Sequence, residues 1–145
     1  MPGSLLPLDP LPLEGQVARV TDVVLDLHGD RIAQILPLAG LRIVDMAMGW
    51  AGPLTTRQMA DLGAEVLKVE HPGRGDDTRA WGPPFLKDAE GHDTAEAAYY
   101  LGANRNKRSL TCDIAQPEGQ QLIRDLVQHC DVFIENFKVG DMARY

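Results

Sequence analysis

The sequence predicts an α/β fold, a Rossmann-like doubly wound parallel sheet. Two observations predict it. From Leu38 onward, short β-branched apolar runs alternate with segments whose apolar residues recur at helical spacing. The first of these segments are joined by short glycine-containing turns, which makes strand, helix and strand a βαβ unit with a right-handed crossover. The 145 residues, 44% of them hydrophobic, are enough for one such domain.

The elements follow in order. "LRIVDMAM" is an apolar run ending in the loop "GWAG", and Pro53 then stands where the first turn of a helix tolerates proline. "PLTTRQMADLG" reads as a helix of about three turns with Gly63 as a left-handed cap. "AEVLKVE" is the next strand, parallel to the first. The segment "HPGRGDDTRAWGPPFLKDAEGHD" is too rich in Gly, Pro and Asp to continue either kind of element, and reads as a long functional or mobile loop. "TAEAAYYLGAN" reads as a short helix, capped by Asp93 or Thr94 and with Glu96 in its first turn. "SLTCDI" alternates Leu110, Cys112 and Ile114 on one strand face. "PEGQQLIRDLVQHC" opens on Pro117 and places Leu122, Ile123, Leu126, Val127 and Cys130 on one helical stripe. "DVFIENF" closes the series as a strand.

Residues 1–37 differ in kind and read as an N-terminal extension or linker, leaving 38–145 as the domain proper. "MPGSLLPLDPLPLEG" carries four prolines, and the first 30 residues hold five acids against Arg19 alone. "VARVTDVVLDLHGDRIAQIL" fits strand and helix alike.

Composition excludes several classes. A net charge of -7 argues against nucleic acid as a partner. Apolar runs fall short of the roughly 18 residues a membrane span needs, so the expected setting is soluble and cytoplasmic, without a membrane partner. Cys112 and Cys130 form no CxxC pair and read as reduced core thiols. "GRGDD" offers Asp76 and Asp77, but no histidine or further carboxylate stands at ligand spacing, so paired solvated acids are expected and no metal. No GxGxxG, GxxxxGK or GxSxG motif occurs. Asp45, inside the first strand, is as well explained by hydrogen bonds to backbone amides as by a site.

In a doubly wound sheet, ligands bind outside the carboxyl ends of the strands. Here those ends are "MGWAG", "EHPGRG", "DIAQ" and "NFKVG". The basic run "NRNKRS", with Arg105, Lys107 and Arg108, precedes its strand and so belongs to the opposite edge; its cations are expected to pair with Asp76 or Asp77, or with a partner subunit.

From Leu38 to Tyr145 the sequence resembles the class III CoA-transferases, the CaiB/BaiF group, in four blocks: "LAGLRIVDMAMGWAGP", "MADLGAEVLKVEHPGRGDDTR", "NRNKRSLTCDI" and "IENFKVGDMARY". The resemblance implies transfer of CoA, bound as acyl-CoA, to a carboxylic acid through an aspartyl-CoA thioester. It also implies that the parallel sheet is incomplete without the rest of its subunit, and that the complete protein is an interlaced homodimer. The nucleophilic aspartate would lie beyond Tyr145, leaving no catalytic residue in this chain and 145 residues inactive by themselves. Two alternatives stay open: an α-methylacyl-CoA racemase, and a non-catalytic CoA-binding or assembly fragment. By position, the implied CoA contacts are Trp50, Ala51, His71, Cys112, Ala115, Asn136, Phe137, Lys138 and Arg144. His71 and Ala115 stand where relatives carry arginine and lysine. Lys138 and Arg144 are the expected phosphate ligands, through charge-assisted hydrogen bonds. "TDVVLDLHGDRIAQI" loosely resembles a helix that closes family members, which would fit a tandem protein.

Overall fold

The computed structural model describes residues 20–25 and 31–145, with side chains described from residue 36. The proline-rich opening, read above as tail or linker, lies outside the described residues. The chain divides into two compact units, Met1–Leu36 and Pro37–Tyr145. In the first, β1 (Val20–Leu25) pairs antiparallel with β2 (Arg31–Ile35). The helix implied for "TDVVL" is therefore not formed, in keeping with the strand preference of Val20, Val23 and Val24.

The second unit is built on four parallel strands: β3 (Arg42–Asp45), β4 (Glu65–Glu70), β7 (Arg108–Thr111) and β8 (Val132–Ile134). Their order in the sheet is β7-β4-β3-β8. The chain thus winds outward from β3 through β4 to β7, then returns across the sheet to place β8 on the other side of β3. That reversal is the topological switch point of a doubly wound sheet.

Period-two alternation distributes the core over both faces. Ile43 and Val66 pack with Met59 and Ala60 of α1 (Ala51–Asp61) on one face. Val44, Val69 and Cys112 pack with Ile123 of α3 (Pro117–Val127) on the other. α1 starts two residues before Pro53 and ends as expected, with Gly63 at φ 101° just past its last turn. Gly52 is required by close approach, because a Cβ there would stand 2.3 Å from the Cβ of Ala47. The helix start is pressed directly onto the strand exit.

Three expectations need correction. The stripe of α3 is narrower than five residues: Ile123, Leu126 and Cys130 reach the core, while Leu122 and Val127 are 41% and 37% exposed. One sheet face accepts only the i, i+3, i+7 row. The long loop is ordered into a 3₁₀ turn, Asp77–Ala80, and a strand β5 (Phe85–Lys87). The helix expected from residue 94 begins at Ala98: Asp93–Ala97 form β6, antiparallel to β5, and α2 is Ala98–Asn104. Extended backbone at 93–97 lets Glu96 reach Arg79, at 3.1 Å.

Gly52→Ala is expected to destabilise the protein by about 1–3 kcal/mol through overpacking against Ala47, measured as a lowered denaturation midpoint.

Candidate functional site: the strand exits and the buried charges beneath them

The alternation that buries Ile43 and Val66 also buries every second residue after them, and these are charged or polar. Asp45, Lys68 and Glu70 are 0%, 1% and 3% exposed. Charges survive there only if each is paired and hydrogen-bonded.

Each is. Lys68 Nζ lies 2.8 Å from Asp76 Oδ2 and donates to the Ala47 carbonyl at 2.6 Å. Asp76 Oδ1 accepts from the Thr78 amide and hydroxyl at 2.9 and 2.6 Å and from the Gly49 amide at 3.3 Å. Asp45 accepts from the Ala47 amide at 3.0 Å, the Thr56 hydroxyl at 2.6 Å and Lys107 Nζ at 3.0 Å. Glu70 accepts from Arg79 at both oxygens, 2.8 and 3.0 Å, and from the hydroxyls of Tyr100 and Ser109, each at 2.7 Å. The Arg79 guanidinium also lies over the Tyr100 ring, 3.6 Å from its centroid.

The titration behaviour follows. Burial raises the Glu70 carboxyl, but hydrogen bonds from Arg79, Ser109, Tyr100 and the Asp76 amide outweigh it and hold the group at about 2. Burial likewise opposes the Asp76 charge, and its bonds to Lys68 and Thr78 win, lowering its pKa. Burial lowers the Lys107 ammonium against the pull of Asp45. The Tyr100 phenol is pushed up by burial and by Glu70.

These charges hold the ledge at the sheet's carboxyl edge. The exit of β8 is tied to the exit of β3 by Asn136, whose Oδ1 accepts from the Met48 amide at 2.9 Å and whose Nδ2 donates to the Met48 carbonyl at 2.8 Å. Asn136 is thereby a clamp across the switch point. Beside it, Trp50 and Ala51 stand exposed at the start of α1. Lys138 is exposed and has no acidic side-chain partner among the described residues. His71 and Ala115 are exposed where β4 and β7 end, His71 Nδ1 against the Pro72 carbonyl and the Ala115 amide on Asp113 Oδ1.

Three candidate residues have side chains turned away from or shared with other contacts. The Cys112 thiol is buried in the α3-side core, its pKa raised by burial, so that segment offers the ledge its main chain. Phe137 packs against the same core and lies 6.3 Å from the Tyr145 ring. Arg144, in the turn Met142–Arg144, pairs with Asp141 at 3.3 Å. Both partners are solvent-accessible, so the pair is weak and a phosphate could displace it.

The basic run pairs differently from the sequence expectation. Lys107 is buried on Asp45, and Arg105 and Asn106 hold Asp61 on α1 at 2.8 and 2.7 Å. Asp76 is taken by Lys68, so it is neither solvated nor available to these cations; Asp77 is exposed. Among the described residues no group of three or more His, Cys, Asp or Glu could hold a metal ion, and no helix is long and apolar enough to cross a membrane.

Sequence reading missed two aromatics. Tyr99 packs edge-on against Trp50 at 5.3 Å and against Trp81 at 5.9 Å, and all three are between 44% and 47% exposed. The signal was present as a tryptophan within the Gly- and Pro-rich segment, Trp81, and a tyrosine shortly after it, Tyr99. Clefts of about 380 and 430 Å³ lie elsewhere, one at the amino edge with Arg42, Arg108 and His129, the other an apolar trough between α3 and Met142 and Tyr145. Among the described residues the ledge combines the switch point, a lysine without an acidic partner and exposed aromatic rings.

Fold and ledge together define a doubly wound α/β protein in which the exits of β3 and β8 meet at the switch point of a parallel sheet. The chain belongs to CoA-transferase family III, whose profile matches residues 38–145. It is 51% identical over 109 residues to the succinate–glutarate CoA-transferase of Agrobacterium fabrum, a match covering 75% of this chain and 27% of that protein. It is 48% identical over 109 residues to the human succinyl-CoA:glutarate CoA-transferase, covering 75% of this chain and 23% of that one. The crystal structure of a CaiB/BaiF family protein from Brucella suis superposes with a TM-score of 0.68 at 50% identity, over 75% of this chain and 28% of the other. The chain thus spans about a quarter of the length of these relatives.

Glu70 predicts the acid response. Its folded pKa of about 2 lies below the ordinary 4.5, so folding favours the ionised form. That stabilisation, on the order of 3 kcal/mol, is fully present above about pH 4.5 and is lost as pH falls toward 2. Denaturant titrations between about pH 6 and 2.5 should show the decline, and Glu70→Gln should flatten it.

Proposed function

We propose that this chain is the CoA-binding portion of a CoA-transferase that moves CoA from an acyl-CoA to a carboxylic acid. The observation that carries the reading is the Asn136 clamp on Met48, which fixes the exits of β3 and β8 as one ledge at the switch point. A nucleotide carrier laid on that ledge would find Trp50 and Ala51 on one side and Phe137 and Lys138 on the other, with Arg144 released from Asp141 onto a phosphate.

In this reading an aspartate beyond Tyr145 attacks the acyl-CoA carbonyl, expelling the CoA thiolate and leaving a mixed anhydride. The thiolate returns to the aspartyl carbonyl, releases the donor acid and forms the aspartyl-CoA thioester, which the acceptor carboxylate then resolves. The names of the relatives favour transfer over racemisation, and extend the proposal to a dicarboxylic acid as one substrate. The remainder of the subunit and a second, interlaced copy would close the ledge into a pocket.

In the full-length protein, Lys138→Ala and Arg144→Ala are each expected to raise the KM for acyl-CoA about tenfold or more, since a charge-assisted hydrogen bond is worth roughly 1.5–3 kcal/mol. The KM for the acceptor acid should change far less. Steady-state kinetics with each substrate varied in turn is the check, and equal effects on both would sink the assignment.

A further inference from the structure

We propose that the buried pair Lys68–Asp76 positions the Ala47–Gly49 loop, and through it presents Trp50 and Ala51 to CoA; in its CoA clause the proposal rests on the function proposed above.

The loop is unusual in how its backbone is satisfied. Main-chain groups leaving a strand ordinarily find partners in a turn, a helix or water. Here five consecutive polar groups are held by side chains. The Ala47 amide is on Asp45, the Ala47 carbonyl on Lys68, the Met48 amide and carbonyl on Asn136, and the Gly49 amide on Asp76. Lys68 and Asp76 supply the hold from beneath, and neither is more than 1% exposed.

Stability alone does not call for this arrangement. A buried ion pair roughly breaks even, and hydrophobic residues of similar volume are often as good or better. Such residues would fill the space but could neither accept from Gly49 nor donate to Ala47. Gly49 adopts φ 80° and is followed at once by Trp50, whose ring sets the edge-on contact with Tyr99. Release of the loop would therefore displace the first helical residue and the aromatic wall together. Lys68 and Asp76 touch no ligand in this scheme; they act through the loop.

The test uses the full-length protein carrying Lys68→Met with Asp76→Leu, an apolar pair that loses both the hold on the Ala47 carbonyl and the acceptor for the Gly49 amide. Ile123→Val, in the core on the opposite face, serves as the control for general destabilisation. Amide hydrogen exchange at 47–50, CoA affinity by calorimetry and the melting temperature are measured on each. The expected result is exchange at Gly49 faster by about tenfold or more and a CoA Kd weaker by about tenfold, with a melting temperature within about 5 °C of the control. Unchanged exchange at Gly49, or an equal loss of CoA affinity in Ile123→Val, would overturn the proposal. If the parent protein binds no CoA, the proposed function fails, and the Gly49 exchange rate still decides whether the pair holds the loop. Should the double variant not fold, Asp76→Ala is set against Asp76→Asn: only alanine removes the acceptor for Gly49, so the losses should appear with alanine and be rescued by asparagine. Identical behaviour of the two contradicts positioning.

Discussion

The constraint on which the rest of the structure depends is that the sheet's α1 face carries charges where a core would carry hydrocarbon. Lys68 and Glu70 of β4 alternate with Val69, and Asp45 of β3 sits level with Lys68 in the parallel register. Each must be neutralised in place, and the partners come from widely separated segments: Asp76 and Arg79 from the 3₁₀ turn and its approach, Lys107 from ahead of β7. The turn, the hairpin of β5 and β6, and the start of α2 are consequently pinned to the sheet by electrostatics more than by apolar contact. The close packing of Gly75 fits this: a Cβ there would come within 2.7 Å of both Arg79 and Glu70.

The same constraint divides the labour between the cations. Lys107 and Arg105 are structural: one neutralises Asp45 from inside, the other bonds Asp61 at the end of α1. At the carboxyl edge Lys138 is an exposed cation without an acidic partner among the described residues, while Arg108 stands exposed at the amino edge. In a chain of net charge -7, the anion site proposed at the ledge would be made locally, by a few exposed cations over a clamped backbone.

Much of the fold was legible in the sequence. Four strands and the two crossover helices follow from the alternation of β-branched runs with helical stripes, and the parallel sheet from the short glycine turns. The segment 71–97 was not legible, because its order comes from long-range pairing of Glu70, Arg79 and Glu96, which local propensity does not encode. For the same reason the basic run received the wrong partners. The buried charges did leave a trace: in "VLKVE" strict alternation puts Lys68 and Glu70 on the face of Val66, so a parallel strand covered on both sides must bury them. The exits of β3 and β8, both read from the sequence, meet across the switch point, yet the role of Asn136 as a clamp was not legible there, since both ends of its amide are spent on one residue, Met48.

The most direct measurement of the central claim is a crystal structure of the full-length protein with CoA. Binding at the ledge predicts the nucleotide over the exits of β3 and β8, within hydrogen-bond reach of Lys138 and alongside Trp50 and Ala51, with the Asn136–Met48 clamp intact. CoA seated in the amino-edge cleft beside Arg42, Arg108 and His129, with the ledge empty, would contradict it.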